Sequence, residues 1–104
     1  MKKINTVLEQ RGEKYGEYTD LAELLDQIVT AYESSKNWRS LEPYMRISLF
    51  MDAMKTVRIL NGDCREMDSW VDKQGYIQLV VTELEGEQND EQSASEHRRP
   101  DRKT

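Results

Sequence analysis

A single cysteine, Cys64, leaves nothing within the sequence for an intramolecular disulfide. The one histidine, His97, lies in a polar stretch near the end, which argues against histidine-based catalysis and zinc ligation. No run approaches the roughly 18 consecutive apolar residues that a membrane span needs. Nor does the start of the sequence join a basic region to an apolar run of signal-peptide length, so a cytoplasmic location is expected. Basic charge is also scarce. Fifteen Lys and Arg face twenty Asp and Glu, for a net charge of -5, and a nonspecific electrostatic grip on nucleic acid or an anionic membrane is not expected. A small phosphate ligand held by one local cluster remains compatible with that balance.

What is present is helical periodicity on a chain of 104 residues with 37% apolar content, enough for one modest core. Ile4, Val7, Leu8 and Arg11 have the spacing of a short amphipathic helix. Between Arg11 and Tyr18, two glycines and two tyrosines interrupt it. They read either as a bent connector covering the core edge, or as a ligand contact in which Tyr15 stacks and Arg11 meets charge. A stronger helix follows, with Asp20 and Glu23 at capping-box spacing and Thr19 as a rival cap. Its stripe of Leu21, Leu24, Leu25, Ile28, Val29 and Tyr32 is expected to be core. In the polar loop after it, Trp38 can plug the bundle end, cover a ligand or join an oligomer contact.

Glu42-Pro43 opens a third helix to about Asn61, because proline suits the first turn. That helix is apolar around much of its circumference, so it is expected to be central or to lie in a subunit interface. Asp52, Lys55 and Arg58 stand out on it at intervals of three. They mark either its solvent edge or a site, since isolated charges on a buried helix are costly unless paired. Asn61-Gly62 is the stop signal, with Gly62 expected in the left-handed conformation. Asp68 is the expected cap of a fourth helix to about Leu84, whose apolar side is Trp70, Val71, Ile77, Val80, Val81 and Leu84. Asp68 and Asp72 share a face at i and i+4, and a cation nearby would relieve their repulsion. Either Lys55 and Arg58 or a divalent metal fits. Gly75 is a costly mid-helix residue that close approach of a helix or ligand would explain. Residues 85–104 lack apolar periodicity and read as a disordered tail after a 1–84 helical domain.

Three motifs are distinctive in combination: Arg11-Gly12-x-x-Tyr15-Gly16, Lys55-x-x-Arg58-Ile59-Leu60-Asn61-Gly62-Asp63, and Asp68-Ser69-Trp70-x-Asp72-x-x-Gly75-Tyr76-x-x-Leu79. On them the chain resembles a family of small phage-borne helical proteins of unassigned function. It is distantly similar to the MazG-like all-α nucleoside triphosphate pyrophosphohydrolases. The resemblance implies Mg²⁺ held by Asp68 and Asp72, with Asp52 a third candidate, and triphosphate contacts from Lys55 and Arg58 with Asn61 assisting. Bound magnesium would stabilise charge on the transferring phosphoryl group. Two departures stand against a full hydrolase site: the Glu-x-x-Glu pair usual in that group has no counterpart between Pro43 and Asn61, and Cys64 occupies a position that is acidic in related phage domains.

The expected architecture is an all-α bundle of about four helices with a disordered C-terminal tail, assembled as a homodimer in the cytoplasm of a host cell. Two functions follow from the resemblance. One is (deoxy)nucleotide binding, with Lys55, Arg58, Asn61, Arg11 and Tyr15 as substrate contacts and weak Mg-dependent hydrolysis. The other is a non-enzymatic phage protein that uses a degenerate scaffold to bind a host protein. Free carboxylates converging on a pocket would favour the first, and Lys55 and Arg58 tied to Asp68 and Asp72 the second.

Overall fold

The computed structural model describes residues 16–97. Within them lie three α-helices, α1 (Tyr18–Glu33), α2 (Pro43–Asn61) and α3 (Met67–His97), with a single 3₁₀ turn at Trp38–Ser40. No strand occurs among the described residues, so the all-α expectation holds, with three helices where about four were expected. The helix expected at residues 3–11 lies outside the described residues.

α2 is the central element, packed by α1 on one flank and α3 on the other. Its proline sits at the start, as its missing amide requires. α1 returns against it with Glu17 near Asn61. α3 runs antiparallel to α2, since Tyr44 meets Glu87 at one end while Lys55 meets Asp72 toward the other. The core is small: Leu21, Ala53, Val57 and Ile59 are buried, and Val57 is fully inaccessible. The rest of the α1 stripe, Leu24, Leu25, Ile28, Val29 and Tyr32, is half-buried. Tyr32 stacks obliquely on Trp38 with ring centroids 5.5 Å apart, which places Trp38 at the end of the bundle.

Several local expectations are corrected. Neither Thr19 nor Asp20 caps α1; Glu17 holds the N-cap position without a side-chain hydrogen bond, and Asp20 lies inside the first turn. Gly62 ends α2 at φ -135°, not in the left-handed region, and its amide closes on the Arg58 carbonyl. The turn that follows is shaped instead by Asp63, whose carboxylate accepts from the Arg65 amide at 2.9 Å. α3 begins at Met67, with Asp68 in its first turn and not at the cap.

The larger correction concerns the end of the chain. Where residues from 85 onward read as a structureless tail, α3 continues without a break to His97. The Glu, Gln and Ala of that stretch are good helix formers, the single Gly86 is tolerated at a cost of about 1 kcal/mol, and the next proline is Pro100. The absence of apolar periodicity is not a lack of helix.

Candidate functional site

The charged residues singled out on α2 and α3 meet in the interface between those helices. Lys55 Nζ lies 2.9 Å from the Asp72 carboxylate. Lys73 Nζ lies 2.9 Å from Asp52 Oδ1 and donates to Thr56 Oγ1 at 2.5 Å. Thr56 in turn donates to the Asp52 carbonyl one helical turn back. Each side chain of this network therefore answers another, and the stretch joins α2 to α3 by charge-assisted bonds. The Lys73–Asp52 pair is the more enclosed, with side chains 23% and 19% exposed. It is only partly desolvated, and each ion keeps a hydrogen-bonding partner.

The packed face of α3 is consequently a polar one. Ser69 is buried, Asp72, Lys73, Tyr76 and Val80 are half-buried, and Glu87 accepts from the Tyr44 hydroxyl at 3.0 Å. Trp70, Val71, Ile77, Val81 and Leu84, expected to pack inward, are exposed instead. The reason lies on α2: the face it presents carries Asp52, Lys55 and Thr56, and only the polar side of α3 can satisfy these groups.

Of the residues proposed to hold phosphate or metal, Lys55 and Asp72 are brought together, but against each other. Asp52 is bound to Lys73, a residue the sequence reading passed over, although Lys73 lies one position from Asp72. Asp68 is exposed on the first turn of α3. Arg58 is half-buried near the end of α2. Asn61 donates from Nδ2 to the Glu17 carbonyl at 3.1 Å, tying the end of α2 to the start of α1. Arg11 and Tyr15 lie outside the described residues. Among the described residues, no three His, Cys, Asp or Glu side chains are grouped so as to hold a metal ion.

Gly16 explains part of the first motif. It adopts φ +82°, and a Cβ there would collide with the carbonyl and side-chain amide of Asn61. Only glycine lets α1 start this close to the end of α2. The close spacing of α1 and α2 at this end therefore rests on a glycine and an asparagine drawn from two separate motifs.

Two clefts flank this framework. A shallow groove runs along α3 beside Asp52, Trp70, Gln74, Ile77 and Val81. A second, polar cleft of about 430 Å³ is lined by Glu33, Trp38, Arg39 and Arg46, with Arg46 also donating to the Leu41 carbonyl at 2.6 Å. Two tyrosines beside the helix contacts are perturbed. Burial, then the Asp52 charge, raises the Tyr32 phenol above its ordinary value. Desolvation, then the hydrogen bond to Glu87 and nearby carboxylates, raises Tyr44.

No helix among the described residues is long and apolar enough to cross a membrane. Comparison with protein-family models, with curated proteins and with solved structures finds no match. The fold and site therefore define the class by geometry alone: among the described residues, three helices, with Lys55–Asp72 and Lys73–Asp52 joining α2 to α3.

Proposed function

We propose that this chain is a non-catalytic phage accessory protein that acts through protein–protein contact on a degenerate MazG-like scaffold, with the exposed apolar face of α3 as its contact surface. The observation that carries this reading is the engagement of Lys55 with Asp72 and of Lys73 with Asp52. A triphosphate and a magnesium ion would have to break both pairs to use these groups. The apolar residues left outside the fold supply a surface that catalysis does not need.

Nucleotide binding is the second reading, and one observation favours it at a different place. The cleft of Trp38, Arg39 and Arg46 sets a flat aromatic ring beside two guanidinium groups, a combination suited to a base and a phosphate. Thermal melts with nucleoside and deoxynucleoside triphosphates, with and without Mg²⁺, separate the readings, because a ligand of the folded state raises the melting temperature. The contact-protein reading expects no shift with any of them, and Asp72→Asn lowering the melting temperature slightly. A Mg²⁺-dependent shift lost in Asp72→Asn restores the MazG-like site, whereas one lost in Arg39→Ala places the nucleotide in the polar cleft.

A further inference from the structure

Met67, Trp70, Gln74, Ile77, Val81 and Leu84 recur along α3 at alternating intervals of three and four. That is the spacing of a seam between two long helices, and among the described residues no element covers it. We propose that the occupant is a second copy of the same helix, lying antiparallel, with the two-fold axis passing between Gly75 and Tyr76. The proposal rests on the reading of this face as a contact surface and names its partner.

Self-complementarity supports it. An antiparallel pair centred there seats Met67 against the partner's Leu84, Trp70 against the partner's Val81, and Gln74 against the partner's Ile77. The bulky Trp70 thus meets the smaller Val81, and the two-fold-related contact repeats across the axis, as an isologous interface demands. The open groove beside α2 is bordered by Trp70, Gln74, Ile77 and Val81, so these positions are accessible to another helix.

Charge selects the direction. The second half of α3 carries Glu83, Glu85, Glu87 and Asp90 with no intervening cation. A parallel pair would lay each of these carboxylates beside its own copy, and like charges in register repel. The antiparallel pair separates each of these carboxylates from its own copy and places Glu87 and Asp90 beyond the first turn of the partner's α3, toward its hairpin end. Area is also sufficient. The five apolar seam residues and neighbouring Val71 are between 36% and 69% exposed. They offer on the order of 500 Å² of apolar side chain per copy, and with flanking Gln78 and Glu85 two copies reach the lower end of the roughly 1,200–2,000 Å² range of specific interfaces.

Sedimentation equilibrium of the full chain at micromolar concentration tests this directly. The expected mass is twice 12.3 kDa, falling to the monomer in Ile77→Asp with the helical circular dichroism retained, and unchanged in Leu79→Asp on another side of α3. Register is read by mild oxidation in a Cys64→Ser background. Copies carrying Met67→Cys and copies carrying Leu84→Cys should cross-link when mixed and not when alone. A wild-type monomer, a dimer indifferent to Ile77→Asp, or cross-linking of Leu84→Cys to itself would each overturn the proposal. The nucleotide melts would then still decide separately between contact protein and nucleotide binder.

Discussion

At the scale of single residues, two of the motif glycines, Gly16 and Gly75, have opposite roles. Gly16 is held at positive φ against Asn61, so a methyl group there meets both backbone strain and a collision. Gly16→Ala is expected to cost about 2–3 kcal/mol, read by urea denaturation. Gly75 has nothing of this chain within 4 Å of a built Cβ. Its helix penalty is therefore uncompensated within one chain, and Gly75→Ala is expected to stabilise by about 0.5–1 kcal/mol. The sequence alone marks Gly75 as costly and Gly16 as part of a bend or a ligand contact, and their difference depends on what stands next to each. Asn61 shows the same limit: its side-chain amide suits a phosphate oxygen and a carbonyl equally, and the Glu17 carbonyl is what reaches it.

At the scale of elements, the α2–α3 contact is stabilised by charge as well as by packing. Asp52→Ala removes the carboxylate from Lys73 and leaves a largely enclosed ammonium with only Thr56. A loss of about 2 kcal/mol is expected by chemical denaturation, between the small worth of surface pairs and the larger cost of breaking fully buried ones. Asp72 is 44% exposed, so Asp72→Asn should cost at most about 1 kcal/mol. The helices themselves are legible from periodicity: α1 shows its stripe, and α2 is bounded by Pro43 and Gly62 close to its observed ends. The orientation of α3 is not legible in the same way. Its apolar stripe predicts an inward face, and the charges of α2 turn that face outward, because unpaired Asp52 and Lys55 would cost more than apolar side chains left in water. The same outward stripe is the seam of the proposed self-association.

At the scale of the molecule, alkaline pH acts on both helix contacts. Tyr32 and Tyr44 keep their protons above the ordinary phenol range. The stability this confers is fully present below the unfolded-state value near 10 and is lost as pH rises through the raised folded-state values. Melting temperatures should therefore fall more steeply above pH 10 than in Tyr44→Phe, whose profile should flatten.

By itself the sequence determined the all-α class, the first two described helices and the start of the third to within a few residues, and the charged residues of the motifs, because periodicity and helix-ending residues are local properties. The tertiary structure decided that Lys55 faces Asp72, that Lys73 takes Asp52, and that the apolar side of α3 points away from the bundle. Those outcomes depend on which polar groups are desolvated together when α2 and α3 close, a quantity that no single helix contains. The helix at residues 85–97 likewise lay beyond what apolar periodicity signals, because a helical backbone hydrogen-bonds within itself whether or not its side chains form an apolar stripe.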